Sequence, residues 1–152
     1  MAEIKLDIEQ KESFEVKDRS GKLIGTIEFN AHDLNIVKRL KEVYKAVEKY
    51  EAEEEQKPKP EDLNNGTVED TIKAVDEFEA KEKFLWDQID YAFNSKVSEV
   101  VFKDISAFTP IGGKLYFEIF LDGIISIVEK SLKKEAESFH KKTDKYTKKY
   151  VK

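Results

Sequence analysis

Large aromatic and aliphatic side chains are densest in residues 84–124, within a chain that is 39% charged and 39% hydrophobic. Here and just beyond, the apolar residues fall into three groups, of which the first and third follow helical spacing. The groups are Phe84, Leu85, Ile89, Ala92 and Phe93; Val97, Val100, Val101, Phe102, Ile105 and Phe108; and Leu115, Tyr116, Phe117, Phe120, Leu121, Ile124, Ile125 and Val128. We expect this stretch to form the core, with four phenylalanines buried in it: Phe93, Phe102, Phe117 and Phe120.

The N-terminal part of the chain alternates apolar and polar side chains, which is typical of strands. Two such runs, 13–17 and 22–29, flank a turn that contains Asp18 and Gly21. Asp initiates turns and Gly accepts a positive φ. The pattern predicts an antiparallel hairpin, or a three-stranded meander if residues 4–8 add to it.

An amphipathic helix is predicted over residues 30–56, because apolar side chains recur at helical spacing and charged residues cover the other face. Asn30 or Asp33 can cap its N-terminus. Two prolines and an Asn-Asn-Gly turn follow, and they disfavour a helix. Residues 57–66 are therefore predicted to be a mobile connector.

A second long helix is predicted from Thr67, a good N-cap, to Asn94, which tolerates a left-handed C-cap. It should pack antiparallel to the first. A short helix near 98–103 and a last helix over 114–149 complete the prediction. Gly123 inside the last helix indicates close packing or a small kink. The apolar stripe of the second helix is Val68, Ile72, Val75, Phe78, Phe84 or Leu85, Ile89 and Phe93.

The length of 152 residues fits one domain. We expect an α+β fold over residues 1–152, in which a hairpin or meander of residues 1–29 packs on a mainly helical bundle. Residues 67–152 would supply the helical core and a basic C-terminal tail. The net charge is −5, with acidic residues crowded before the middle and lysines at the end. Such asymmetry favours charged partners or self-association.

The sequence contains no cysteine, which excludes disulfides and thiolate metal sites and fits a reducing compartment. The first residues are charged, and no apolar run approaches the length that spans a membrane. We therefore expect a cytoplasmic protein without membrane contact.

Catalytic motifs are absent from the sequence. His32 and His140 lack metal-binding spacing, and residues 111–114 do not match a phosphate-binding loop. The carboxylates near the core stretch fit the exposed face of an amphipathic helix: Asp87, Asp90 and Glu99. We expect no enzymatic activity, cofactor or metal.

The lysine-rich tail raises the alternative of nucleic-acid binding, because its lysines and two tyrosines could contact phosphates and stack on bases. The acidic total charge and the absence of a recognition motif argue against it. A solvated helix end that suits the negative end of the helix dipole is the simpler interpretation.

Several segments together resemble a known family. They are the strand pair ending in GTIEFN, the long charged helix, the acidic Pro-containing connector, QIDYAFN at 88–94, VSEVVFKDISAFTP and an FxxFL helix. The arrangement is similar to the small tail-assembly chaperones of long-tailed phages and prophages of Gram-positive bacteria. The specific part is a minor portion of the chain and consists mostly of core residues.

The resemblance implies a chaperone that binds a tape-measure protein before that protein polymerises, leaves before the tail is finished and has no catalytic residues. We also expect self-association. Binding a helical partner needs apolar anchors outside the core. Our candidates are Trp86, Tyr91, Tyr116, Tyr44 and Tyr50. Phe84, Leu85 and Trp86 are consecutive, so at least one of these three large apolar side chains cannot face the same core as the others. Several neighbouring elements could nevertheless bury all three. The alternatives are a structural tail or accessory component and an unrelated helical adaptor.

Overall fold

A computed structural model describes residues 1–8, 11–55 and 67–150, with side chains to Glu137. The strands are β1 (Glu12–Lys17), β2 (Leu23–Phe29), β3 (Pro110–Ile111) and β4 (Lys114–Leu115). The helices are α1 (Leu34–Glu55), α2 (Val68–Phe93), α3 (Ser98–Val101) and α4 (Tyr116–Tyr150). An N-terminal hairpin packs on a mostly helical region, which confirms the α+β prediction. The predicted connector, 57–66, lies outside the described residues.

Strands β1 and β2 form the predicted antiparallel hairpin, with Phe14 opposite Ile27. One carboxylate oxygen of Asp18 accepts hydrogen bonds from the Ser20 hydroxyl (2.6 Å) and from the backbone N–H groups of Ser20 and Lys22 (2.9 Å each). These bonds lower the pKa of the Asp18 carboxyl, and the bond from the Ser20 hydroxyl has the largest effect. Of the two predicted forms the hairpin is the one observed, because residues 1–8 form no strand.

Helix α1 begins at Leu34, because the residues before it form a turn in which Asn30 accepts a hydrogen bond from the His32 N–H (3.0 Å). Asp33 caps the helix by accepting from the Asn35 N–H (2.9 Å).

Helices α1 and α2 pack antiparallel, as predicted. The Arg39 Nε donates to the Ala92 carbonyl (2.8 Å), and the Tyr50 ring stacks on Phe84 with centroids 4.8 Å apart.

Both predicted caps of α2 are confirmed. Thr67 and Asp70 form a reciprocal capping box, and Asn94 adopts the left-handed conformation at φ 50°. Asp90 then accepts a hydrogen bond from the Ser98 N–H (2.8 Å) and holds the start of α3 against α2. Helix α3 ends at Val101, shorter than predicted.

The prediction of a helix from residue 114 is wrong at its start. Residues 114–115 pair with 110–111 around Gly112 and Gly113, which both have positive φ, as a two-residue hairpin turn requires. Helix α4 therefore begins at Tyr116. Close packing at Gly123 is also not found, because a Cβ there would meet no atom within 4 Å.

The core is built from the hairpin and all four described helices, and α1 contributes Ile36, Leu40, Val43 and Val47 to it. Its aromatic part lies where the hairpin, α2, α4 and the segment after α3 meet. A chain of ring contacts links these elements: Phe29 to Phe93 (5.4 Å), Phe93 to Phe120 (6.0 Å) and Phe120 to Phe102 (5.8 Å). The four phenylalanines predicted to be buried, which include Phe117, are each at most 8% exposed. This prediction is confirmed.

Candidate helix-binding surface

The first three turns of α2 carry a row of exposed apolar side chains, here called the α2 stripe. Its members are Val68 (77% exposed), Ile72 (55%), Val75 (49%) and Phe78 (44%). Their spacing of four, three and three residues places them along one side of the helix. The stripe was expected to continue into the core, yet full burial on α2 begins only at Leu85.

The exposure of the α2 stripe follows from where α1 ends. Glu51 pairs with Lys81 (3.6 Å), and α1 ends at Glu55. Because the helices are antiparallel, most of residues 68–78 extend past that end of α1. At the other end of the stripe, the Phe78 ring packs edge-on against Phe108 (6.1 Å).

The loop that carries Phe108 is fixed to α2. Glu82 accepts hydrogen bonds from the Ser106 hydroxyl (2.8 Å) and the Ala107 N–H (3.2 Å). The Lys81 ammonium lies 4.5 Å from the centroid of the Phe108 ring, and this ring also packs on Phe117 (5.5 Å). The stripe is therefore anchored to the core at its C-terminal end.

Charge surrounds the α2 stripe unevenly. Between residues 68 and 79 the helix carries five exposed acidic side chains and one exposed lysine, a net charge of −4. They are Glu69, Asp70, Asp76, Glu77, Glu79 and Lys73. The electrostatic potential along this stripe favours a partner with basic side chains.

A second apolar surface, here called the hairpin groove, lies between the hairpin and α4 and has a volume of about 660 Å³. Consecutive residues from Phe14 to Arg19 line one wall. Apolar residues of α4 line the opposite wall, including Ile119, Phe120, Ile124 and Ile127. A third apolar surface is a groove of about 490 Å³ between α1 and α4, which contains Tyr44.

The five aromatic residues proposed as partner contacts are not brought together. Tyr91 is 61% exposed on α2. Trp86 is half-buried against the core, and its indole N–H is buried without a hydrogen-bond partner in the described structure. Its backbone carbonyl accepts from the Ser98 hydroxyl (3.2 Å). Part of Trp86 thus belongs to the core.

The other three aromatic residues make contacts within the chain. The Tyr116 hydroxyl donates to the Val101 carbonyl (3.0 Å), and Tyr50 stacks on Phe84. Burial raises the pKa of Tyr116 and, with the nearby carboxylates of Asp122 and Glu118, that of Tyr44.

Three of the polar residues considered for catalysis, His32, Asp87 and Asp90, make structural contacts. His32 lies 3.0 Å from Glu12 and 3.7 Å from Glu135, and so links the start of β1 to α4. Asp87 pairs with Lys83 (2.9 Å). Among the described residues, no three His, Cys, Asp or Glu side chains are grouped to hold a metal ion. The His140 side chain lies outside that set.

Sequence reasoning missed the α2 stripe as a surface, because helical spacing identifies an apolar face without showing what covers it. The available signal was the density of acidic residues at 69–79 compared with the sparser charge at 84–93.

None of the described helices is long and apolar enough to cross a membrane. No family model, curated protein or solved structure matches the chain.

Proposed function

We propose that this protein is a tail-assembly chaperone that holds helical segments of a long tape-measure-like protein through the α2 stripe. The observation that carries the proposal is the stripe itself. It is a row of four large apolar side chains outside the core, on a helix that is buried in the core from Leu85 to Phe93. The sequence resemblance described above supplies the identity of the partner.

The α2 stripe has the size and chemistry of one side of a helix–helix contact. It runs over 11 residues, 68–78, which span about 16 Å, or three helical turns. A partner helix would lay apolar anchors against the stripe at intervals of three and four residues. The net charge of −4 around the stripe favours a partner helix with Lys or Arg beside its apolar anchors. Such a contact is small, which suits a chaperone that must leave before the tail is finished.

The proposed activity is non-enzymatic and requires no cofactor or metal. It places the protein in the cytoplasm of a bacterial host, where a partner that has not yet polymerised would be found. The aromatic residues predicted earlier become secondary contacts, of which the exposed Tyr91 and the half-buried Trp86 lie on α2 itself.

Co-expression with a candidate long helical tail protein tests the proposal. The unmodified chain should keep that partner soluble and form a complex with it that light scattering detects. Ile72→Asp combined with Val75→Asp should weaken the complex about tenfold or more, because it places two charges in an apolar contact. Leu34→Asp is the control, since Leu34 is 69% exposed but lies on α1.

Trp86→Ala should weaken the complex less and leave the chaperone folded. Raising the salt concentration should also weaken the complex, because exposed charges are screened. If the partner aggregates equally with and without this protein, the chaperone proposal is wrong. Retention of the protein in finished tails would instead favour a structural tail component, and capture of unrelated helical proteins would favour an adaptor.

A further inference from the structure

The N-terminal segment, residues 3–8, has a strand pattern but no strand partner. Ile4, Leu6 and Ile8 are 88%, 69% and 62% exposed, and charged residues alternate with them. This period of two suits a strand with one apolar face. Three exposed aliphatic side chains in one short segment call for a surface that covers them.

The hairpin offers such a surface. Within the described residues, β1 has a hydrogen-bonded strand on one side only, so its other edge is open. Consecutive residues 14–19 line the hairpin groove, and neighbouring side chains of a strand point to opposite faces. The groove therefore runs along the open edge of β1, where Phe14 and Val16 already pack against the core.

We propose that the N-terminal segment of one copy of this chain adds to β1 of a second copy as an antiparallel third strand, covering part of the hairpin groove. The exchange is reciprocal in a two-fold dimer, since each copy has one segment and one open edge. This inference does not depend on the tape-measure proposal.

Charge complementarity selects the register. Placing Leu6 opposite Phe14 sets Ile4 opposite Val16 on the same apolar face. On the other face it sets Lys5 opposite Glu15 and Glu3 opposite Lys17, so that both charged pairs attract. A shift of two residues, with Leu6 opposite Val16, would oppose Lys5 to Lys17 and Asp7 to Glu15. The first register is therefore the favoured antiparallel arrangement.

The same register within one chain would require a three-residue loop formed by Glu9, Gln10 and Lys11. Hairpin loops of that length favour Gly at a left-handed position, and the sequence offers none there. Pairing between two copies has no such requirement. For this reason the second copy, and not the chain's own β1, is the occupant that we infer.

Sedimentation equilibrium over a range of protein concentrations tests the dimer. The unmodified chain should dimerise, and Leu6→Asp should raise the dimer dissociation constant about tenfold or more. Leu34→Asp is the matched control, because Leu34 and Leu6 are both 69% exposed, and it should leave the constant unchanged. A chain that stays monomeric at every concentration, or a dimer unaffected by Leu6→Asp, would overturn the proposal.

Charge reversal tests the register. Glu3→Lys and Lys17→Glu should each weaken the dimer, and the two together should restore it. A parallel arrangement would instead oppose Asp7 to Lys17 and leave Glu3→Lys without effect, which would overturn the antiparallel assignment.

Crosslinking separates exchange between chains from folding within one chain. The sequence has no cysteine, so introduced thiols are the only ones present. Mixing Lys5→Cys chains with Glu15→Cys chains under oxidation should give disulfide-linked dimers. Neither variant alone should do so, because position 5 of one copy faces position 15 of the other. Absence of the mixed dimer, with a disulfide in the monomeric double variant, would show that the segment folds onto its own β1.

Discussion

Two phenylalanines on α2 provide a direct comparison of core and surface. Phe93 is 3% exposed and its ring contacts Phe29 and Phe120, whereas Phe78 is 44% exposed and its ring packs edge-on against Phe108. Phe93→Ala should lower the free energy of unfolding by about 3–5 kcal/mol, since it leaves a cavity and removes two ring contacts. Phe78→Ala should cost about 1 kcal/mol or less, because part of its surface is already hydrated.

Urea denaturation monitored by circular dichroism measures both changes. With a denaturant slope of about 2 kcal/mol per molar for a chain of this size, the Phe93→Ala midpoint should fall by about 2 M and the Phe78→Ala midpoint by about 0.5 M. Phe120→Ala should behave like Phe93→Ala. Partner binding should show the opposite order, since Phe78 belongs to the α2 stripe. Equal midpoint shifts for Phe78→Ala and Phe93→Ala would refute the separation of surface from core.

Three further predictions concern a cap, a hydroxyl and the tail. Thr67→Ala removes one half of the capping box and should cost about 1 kcal/mol in urea denaturation, with no loss of the fold. Tyr116→Phe should cost about 0.5–1.5 kcal/mol, since it removes the hydroxyl bond to the Val101 carbonyl. Burial raises the pKa of the Tyr116 hydroxyl in the folded chain. The stability that the neutral hydroxyl contributes is therefore fully present below about pH 10 and is lost as the pH rises through the raised folded pKa. Above about pH 10, the urea midpoint of Tyr116→Phe should therefore fall less steeply with pH than that of the unmodified chain. Deleting residues 141–152 should leave the midpoint unchanged and remove no measurable DNA or RNA affinity at physiological salt, and specific binding by the full chain in fluorescence anisotropy would contradict this.

The sequence predicted those elements whose ends are set by local chemistry. Asp18 and Gly21 marked the hairpin turn, and Thr67 and Asn94 marked both ends of α2, because turn and cap residues act on the backbone beside them. The start of α4 was predicted wrongly, because a helical apolar period does not reveal that two residues pair across Gly112 and Gly113.

Exposure was harder to predict than secondary structure. Ile72 and Ile89 occupy the same apolar pattern of α2, yet they are 55% and 0% exposed. What differs between them is the tertiary environment, since α1 packs beside Ile89 but ends before it reaches the part of α2 that carries Ile72. The same limit applies to the aromatic candidates. Tyr91 is exposed as expected, whereas Tyr116 uses its hydroxyl within the chain, and sequence spacing could not separate them.

The two proposed surfaces lie on different elements, the stripe on α2 and the open edge on β1, so one chain could use both at once. A dimer formed through the N-terminal segments would then present two α2 stripes to the same partner. A long helical partner that repeats its apolar anchors could engage both stripes, and the second contact would form at a high effective concentration. The affinity for a long partner should therefore exceed that for a peptide with a single anchor set by about 10²-fold. Deleting residues 2–8 should remove this excess and leave the affinity for the short peptide unchanged in isothermal titration calorimetry. If the shortened chain binds the long partner as tightly as the full chain does, the α2 stripe acts alone and dimerisation serves another purpose.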